Sequence, residues 1–445
     1  MPRQHRPSVI AAPVALAASA VLLAGCTGEL QGPGADGSWY AADQPYAGQL
    51  EIEGFAVADP INEARHDRAV EALGTAVEVS VFAAAVDARS FASAAEAGDA
   101  PDLIYADRAD IGYLAARGAI MPLDRCIQEA PINLGQYSPA ALAQVTLEER
   151  IFALPDTSTV PLLVTTSPTT GTERGGALVE SVGADPREWR VIQLWAAAEG
   201  TPLVTPDGRT ATFDDPRIVA ALDGWAEPSA DTSLVESAEL SAGVAGGSDE
   251  SDVEPQLGPV VDGAGEPVAV LNGYGWAIPV AGANPATACG YVRAVTESET
   301  WIDAVTSRAA SPDPADAATD DETDAGTEQD ASAPGGGDVA PLEVAGLLTA
   351  NATADAELRG WVTDADDASA ATLRAAVDEA YAAAVPPTVT PADVSLMRIW
   401  SDAVDAVRSG ELSAAEALAE AQLDAQNALD RGWANLAQAL DSRTP

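Results

Sequence analysis

The sequence contains no lysine at all, so its 22 basic residues are all arginine. A Walker-type phosphate loop, a Schiff-base lysine and a Ser–Lys nucleophile pair each require a lysine, and all three are therefore excluded. Histidine is almost as rare, since only His5 and His66 occur. A Ser-His-Asp triad would have to use His66, because His5 lies in a short basic N-terminal segment. His66 lies in a polar stretch with helical spacing, and we interpret it as a solvated surface residue.

Cysteine is the next scarce residue, with three in the chain: Cys26, Cys126 and Cys289. Cys126 and Cys289 lie far from each other and from His66 in the sequence, so we expect neither a zinc site nor any other metal or cofactor. If the protein is exported, the compartment is oxidising and a Cys126–Cys289 disulfide is expected. Two buried thiols are the alternative.

Positive charge is also in short supply, since 22 arginines face 69 acidic residues and the formal net charge is −47. A body this acidic repels nucleic acid and anionic lipid headgroups, so we expect no nucleic-acid partner. Carboxylates are too abundant for the sequence to single out a catalytic pair, and an exported carbohydrate-acting enzyme therefore stays open as an alternative. The 445 residues are too many for one compact core, which predicts two lobes.

One apolar run is present, at the N-terminus. Arg3 and Arg6 precede the apolar segment 10–23, which ends in the tetrapeptide LAGC at 23–26. This order is typical of a secretory signal peptide that ends in a lipobox. The segment is too short, and too interrupted by Pro13, to predict a membrane-spanning helix.

The lipobox predicts the organisation of the N-terminal region. Residues 1–25 are expected to be the signal peptide, and Cys26 is the expected site of lipidation. An ordinary signal peptide with an incidental cysteine is the alternative. Residues 26–48 would form a flexible tether, and acyl chains would hold the body on the extracellular face of the cell membrane.

Hydrophobic periodicity predicts an α/β fold. Alternation predicts strands, and apolar spacing of three to four residues predicts helices between them. The predicted strands are 49–57, 76–82 and 103–105, and the helices that follow them are 59–73, 90–97 and 110–117. Strands separated by helices at this spacing predict a parallel sheet covered by helices.

Two further regions have a clear composition. Residues 311–340 are rich in Asp and Glu without any basic residue, which predicts a disordered surface insertion. The spacing of its acidic residues does not match a calcium-binding loop. Near the C-terminus, capping-box-like sequences at 390–393 and 413–416 predict two consecutive helices separated at Gly410.

Several short motifs follow one another in order along the chain. They are GDAPDLIY at 98–105, AARGAIMPLD at 115–124, IFALP at 151–155, VGADPREW at 182–189 and NGYGWAIP at 272–279. Behind a lipobox and before a helical pair at 386–433, this order resembles the bacterial extracellular solute-binding proteins of family 1, the carbohydrate-type receptors of ABC importers. The chain departs from the family pattern at 164–171 and 241–268. These departures leave open a two-lobe lipoprotein that has lost solute binding.

The resemblance implies an α/β, two-lobe periplasmic-binding-protein-like fold of type II, with a cleft and a hinge between two sheets flanked by helices. The first lobe would comprise residues 49–154 and 275–310, and the second residues 155–274 and 341–445. The implied function is not enzymatic. A monomeric receptor would capture a sugar or oligosaccharide by hinge closure and deliver it to an ABC transporter permease.

The strand that precedes Asp107 and Arg108 suggests that both side chains lie at the edge of the cleft, where they could fix ligand hydroxyls. A surface ion pair is the alternative. Asp156, directly after the proline of the first hinge strand, is a further candidate ligand-binding residue.

Aromatic side chains supply flat apolar area for the C–H faces of sugars. Tyr274 and Trp276 flank the returning hinge between glycines, and we expect them to form such a platform. Core packing is the alternative. Trp225 is expected to stack on the ligand from the second lobe.

Overall fold

The computed structural model describes residues 46–165, 184–225, 232–243, 256–309, 341–365 and 367–442. The predicted signal peptide, Cys26, the tether up to residue 45 and the acidic insertion 311–340 lie outside the described residues. Among the residues that are described, no helix is both long enough and apolar enough to cross a bilayer.

The strands and helices alternate along most of the chain. The strands are β1 (Gly48–Glu53), β2 (Val77–Phe82), β3 (Leu103–Asp107), β4 (Thr146–Leu147), β5 (Arg150–Ile151), β6 (Leu154–Pro155), β7 (Thr157–Ser158), β8 (Pro161–Thr165), β9 (Thr232–Glu236), β10 (Gln256–Val261), β11 (Pro267–Val270), β12 (Tyr274–Ala277), β13 (Leu348–Thr349) and β14 (Ala384–Val385). The helices are α1 (Pro60–Leu73), α2 (Ala88–Glu96), α3 (Arg108–Ala116), α4 (Asp124–Glu129), α5 (Pro139–Ala143), α6 (Trp189–Ala198), α7 (Pro216–Gly224), α8 (Ser237–Gly243), α9 (Pro285–Thr296), α10 (Ser298–Ala309), α11 (Pro341–Ala345), α12 (Ala352–Asp364), α13 (Ala368–Ala383), α14 (Asp393–Arg408) and α15 (Ala414–Asp441).

The first lobe is built on a five-stranded sheet with the order β2-β1-β3-β12-β6. Strands β1, β2 and β3 are parallel, as the sequence pattern predicts, because each is followed by a helix that returns the chain. Strand β12 enters from the second lobe and pairs antiparallel to both β3 and β6. Alternation along β1 buries Leu50 and Ile52 completely and leaves Glu51 exposed. The predicted α/β fold class is confirmed.

Helices cover both faces of the first sheet. One apolar cluster joins the sheet to α4 and α9, and the structure has a disulfide between Cys126 of α4 and Cys289 of α9, with a Cα–Cα distance of 5.8 Å. A second cluster joins the other face to α2 and α3. The disulfide closes a separation of 163 residues, so reduction would release a large amount of chain entropy in the unfolded state.

The second lobe is built on another five-stranded sheet, with the order β14-β11-β10-β8-β9. Its pairings are antiparallel except for β11 with β14. One face packs on α6, α7, α14 and α15, and the other face packs on α10 to α13. The second lobe therefore also has the layered arrangement of a sheet between helices.

The chain passes between the lobes three times. The first crossing is at 156–160, the second is at 271–273, and the third follows α9 at Glu297. Helix α10 contacts both lobes. The side chains of Trp301, Ala304 and Val305 lie in the same apolar cluster as α11 to α13, and α10 also packs on α1 of the first lobe. The lobe bounds expected from the sequence stay a prediction.

The C-terminal helical pair also spans both lobes. Helix α15 begins with the predicted capping box, in which Ser413 and Glu416 satisfy each other's backbone N–H groups. Its first half packs in the second-lobe core, whereas Leu436 near its end packs in the α2–α3 cluster of the first lobe. Close approach requires Gly112 on α3, where a Cβ atom would lie 2.2 Å from the carbonyl oxygen of Thr390.

Candidate functional site

A cleft of about 650 Å³ opens between the two lobes. Segments 86–89 and 107–110 of the first lobe form one wall, and segment 187–193 of the second lobe faces them. Residues 394–402 of α14 close one side, and Gln144 with Asn272 marks the hinge end. Most of these groups are charged or polar, and Trp189 is the one aromatic residue in this lining. The cleft can therefore hold a small polar ligand that contacts both lobes.

Asp107 is the last residue of β3 and the N-cap of α3, where its Oδ1 accepts from the N–H of Ala109 at 2.9 Å. Its Oδ2 forms an ion pair with Arg190 of α6, and both side chains are partly exposed. Burial lowers the pKa of Arg190, but the charges of Asp107 and Glu236 outweigh it and the pKa is raised. Asp107 therefore lies in the cleft wall, and its partner comes from the opposite lobe.

Arg108, the neighbour of Asp107, points away from the cleft and is only 1% exposed. Its guanidinium donates to the carbonyl oxygen of Thr157 at 2.9 Å and also to that of Asn272. Burial lowers the pKa of Arg108 to about 10. Because the two carbonyl groups belong to the first and second crossings, Arg108 ties these crossings together, and it is not part of the cleft lining.

The contact of Arg108 with both crossing segments requires a glycine at position 273. Its φ angle is +143°, and a Cβ atom would lie 2.1 Å from the carbonyl oxygen of Thr157 and 2.7 Å from Nη2 of Arg108. The carbonyl oxygen of Gly273 accepts from the backbone N–H of Arg108 at 2.9 Å. A side chain at this position would separate the two crossing segments.

Asp156 lies under the hinge and is completely buried. Its Oδ1 accepts from Nη2 of Arg65 at 2.5 Å, and the Arg65 guanidinium stacks 3.4 Å from the ring centroid of Trp301. Burial raises the pKa of Asp156, while the Arg65 charge opposes that shift. Its backbone groups bond to Tyr274 and Ala350, one from each lobe. The structure thus places Asp156 in the hinge network and away from the cleft.

The two hinge aromatics occupy different environments. Trp276 has no exposed surface and packs at 4.8 Å from both Phe55 and Tyr105, between ring centroids. Tyr274 is 40% exposed and stacks on Tyr105 at 5.3 Å with an interplanar angle of 13°. Burial and the charge of Asp107 raise the pKa of Tyr274. Tyr274 therefore lies beside the Asp107–Arg190 pair. Trp276 lies in the core and packs against Tyr105, the ring on which Tyr274 stacks.

Trp225, the expected stacking residue of the second lobe, lies at the end of α7. Its Nε1 donates to the carbonyl oxygen of Ala184 at 3.0 Å, and its ring packs against the second-lobe core. It is not part of the cleft lining. Trp189 on α6 lines the cleft instead.

The cleft contains further residues that the sequence analysis did not select, Trp189, Arg190, Asp110 and Gln144 among them. Trp189 is the last residue of the motif at 182–189 and Arg190 directly follows it, so a signal for them was present. Asp110 lies one helical turn beyond Asp107. Gln144 had no sequence signal, because only the packing of α5 against the second crossing brings it to the cleft.

A smaller apolar hollow of about 310 Å³ adjoins the cleft and shares Trp189, Gln193 and Pro387 with it. Its other walls come from α6, β11, β14 and the segment 385–388. Among the described residues, no group of His, Cys, Asp or Glu side chains is arranged to hold a metal ion.

No protein-family model matches the chain, and no curated protein matches it either. Solved structures do share its fold. The acarbose-binding GacH receptor of Streptomyces glaucescens is 15% identical with a TM-score of 0.63, and the match covers 86% of this chain and 99% of that one. A cycloalternan-bound ABC substrate-binding protein of Listeria monocytogenes is 11% identical with a TM-score of 0.63, over 86% and 99% of the chains.

UgpB of Mycobacterium tuberculosis, in complex with glycerophosphocholine, is 15% identical with a TM-score of 0.59, over 86% of this chain and 99% of that one. These proteins confirm the expected two-lobe fold of ABC-transporter solute-binding proteins. The ligands named for these proteins differ in chemistry, so the shared fold does not identify a ligand.

Proposed function

We propose that this protein is an extracellular solute receptor that captures a carbohydrate between its lobes and delivers it to an ABC importer. The observation that carries the proposal is the cleft of about 650 Å³, whose walls come from both lobes and are bridged by the Asp107–Arg190 pair. A ligand that contacts both walls favours the closed arrangement because it binds that arrangement more tightly.

The cleft offers the groups that sugar recognition needs. Asp107 and Arg190 can bond ligand hydroxyls, and Tyr274 presents a partly exposed ring beside them. Trp189 is 7% exposed and its indole N–H has no hydrogen-bond partner among the described residues. A buried donor without a partner is unfavourable, and a ligand oxygen would satisfy it. Structural neighbours that bind acarbose and cycloalternan support this ligand class.

The lipid anchor through Cys26 belongs to the same proposal and places the receptor at the cell surface. Replacement of Cys26 by serine is expected to release the protein into the medium, since acylation requires the thiol. Retention at the membrane would contradict the anchor without affecting the assignment of the cleft.

The first experiment is a thermal-unfolding panel of the purified protein with monosaccharides, oligosaccharides, amino acids and short peptides. A ligand at 100 times its dissociation constant adds roughly 2.7 kcal/mol of stability. We expect a saturable rise in the unfolding temperature with one sugar class, and no turnover of chromogenic glycosides. A flat sugar panel, or turnover, would overturn the proposal.

A matched pair of variants tests the cleft itself. Trp189→Phe removes the unpartnered indole N–H, and we expect sugar affinity to fall about five- to tenfold. Trp225→Phe removes an indole N–H that already donates to Ala184, so affinity is expected to stay within twofold. A larger loss in the Trp225 variant would instead support the sequence-based prediction of stacking by Trp225.

A further inference from the structure

The cleft holds more carboxylates than available cations. Its acidic residues are Asp87, Asp107, Asp110, Glu188 and Asp402, and its arginines are Arg89, Arg187, Arg190 and Arg398. The arginines are already engaged: Arg190 with Asp107, Arg398 with Asp402, Arg187 with Asp185 and Asp405, and Arg89 with the carbonyl oxygen of Val394. Among the described residues, no arginine forms an ion pair with Asp87, Asp110 or Glu188, although the charge of Arg89 acts on Asp87 and contributes to its lowered pKa.

Among these three carboxylates, Asp110 has the pKa that its surroundings raise. It lies in the first turn of α3, half-buried, and no side-chain hydrogen bond to it is present among the described residues. Burial, together with the nearby charges of Asp107 and Asp87, raises the pKa of Asp110 to about 7, while Arg190 opposes that shift. Two more groups feel its charge, namely Tyr274 at the hinge and Asp393 at the start of α14.

Gln144 adds a second and independent observation. It lines the cleft and is only 2% exposed. Its Nε2 donates to the carbonyl oxygen of Leu271 at 2.6 Å, which fixes the amide, and its Oε1 has no partner among the described residues. A buried acceptor without a donor is unfavourable. What is missing at this end of the cleft is therefore a hydrogen-bond donor.

We propose that the ligand of this cleft carries an amino group in addition to hydroxyls, as an amino sugar does. Its ammonium group faces the carboxylates of Asp110 and Asp87, and one of its N–H or O–H donors satisfies Oε1 of Gln144. A neutral sugar would leave Asp110 without an ion-pair partner. This inference rests on the proposed receptor function and narrows its ligand class.

The test compares ligands that differ only in the amino position. Isothermal titration calorimetry on the full chain would use glucosamine, galactosamine and β-1,4-linked oligomers of glucosamine. Each amino sugar is compared with the sugar that has a hydroxyl group in place of the amino group and with its N-acetyl form. At pH 7.5 we expect the amino form to bind at least about tenfold more tightly than either counterpart, since a charged hydrogen bond is worth more than a neutral one. Equal or tighter binding of the neutral forms would overturn the inference and leave the receptor function intact. Absence of binding by all three forms would overturn both.

The variant Asp110→Asn tests the assigned counter-charge. We expect its affinity for the amino form to fall at least about tenfold, with the neutral counterpart changed less than twofold. The exposed Asp424→Asn on α15 matches the change in net charge and lies outside the cleft lining, so it is expected to bind like the parent protein. An equal loss for amino and neutral ligands in Asp110→Asn would show a merely structural role and contradict the proposal.

The pH dependence gives a readout that a structural role would not move. As pH rises through the pKa of Asp110, this carboxyl becomes charged while the ligand amine is still largely protonated. Affinity for the amino form is therefore expected to rise between pH 5.5 and 7.5 in the parent protein. In Asp110→Asn the same rise should be flattened, and an unchanged profile would contradict the role of Asp110.

Discussion

Two Asp–Arg ion pairs in this molecule differ in how far they are exposed to solvent. Asp107 and Arg190 pair across the cleft, with side chains 23% and 39% exposed. Asp156 and Arg65 pair beneath the hinge with no exposed surface. A partly exposed pair contributes little stability and can exchange partners, whereas a buried pair is costly to break. The cleft pair can therefore exchange partners, while the hinge pair holds the segments that join the lobes.

Residues that are neighbours in the chain also divide into one that is exposed at the cleft or hinge surface and one that is buried. Asp107 faces the cleft, and Arg108 bonds the two crossing segments. Tyr274 is partly exposed, and Trp276, two residues later, is in the core. Residues of the same chemical type in one motif thus divide into groups that can meet a ligand and groups that position them.

The largest effect is expected when the buried pair is broken. Asp156→Ala leaves the Arg65 guanidinium buried without its counter-charge, and we expect the free energy of unfolding to fall by about 3–5 kcal/mol. Denaturant unfolding measures it. The double variant Arg65→Met, Asp156→Leu removes both charges and should recover most of the loss. A single variant that costs less than about 1 kcal/mol would show that the pair is not closed to water.

A smaller but still large effect is expected at the backbone of the hinge. In Gly273→Ala the added Cβ meets the carbonyl oxygen of Thr157 at 2.1 Å, and we expect a loss of about 2–4 kcal/mol. Gly98→Ala is the matched control, because Gly98 also has a positive φ of +80° but no atom within 4 Å of its Cβ position. Backbone strain alone predicts about 1–2 kcal/mol there. Equal losses in the two variants would show that the crowding in the hinge is relieved without cost.

The smallest effect on stability is expected at the cleft pair. Arg190→Ala should lower the free energy of unfolding by less than about 1 kcal/mol, because both partners are partly exposed. The loss of the bridge should nevertheless open the unliganded protein, which small-angle X-ray scattering would detect as a larger radius of gyration. A stability loss above about 2 kcal/mol with an unchanged radius would mean that this pair resembles the hinge pair after all.

Much of the fold could be predicted because it depends on local patterns. Alternation located β1 and β2, and the capping box at 413–416 located the start of α15. Helix α3 begins at Arg108, two residues before the predicted start, since Asp107 supplies the cap. The contacts of α10 could not be predicted in this way, because its packing on α1 and on α12 joins elements that are distant in the chain.

Prediction of the site was less complete. The motif order indicated where the strands of the hinge end. Asp107 lines the cleft there, and the partly exposed Tyr274 lies opposite it in register on β12. Asp156, Arg108 and Trp276 are just as close to the hinge in sequence, but they point into the interior. The sequence pattern does not predict which side chains of a crossing segment face the cleft, because such a segment lacks the regular alternation of a strand with one solvent-exposed face.

The sequence by itself determined the α/β class, the positions of most regular elements and the chemical groups available, because these follow from local periodicity, capping and composition. The tertiary structure decided which of these groups meet. Arg190 reaches Asp107 only after the two lobes are placed against each other. Gln144 reaches Leu271 only when α5 packs on the second crossing, and Asp110 comes near Asp87 only when α2 and α3 pack together. The physical reason is that these contacts join residues that are distant in the chain, and their charge balance exists only in the assembled cleft.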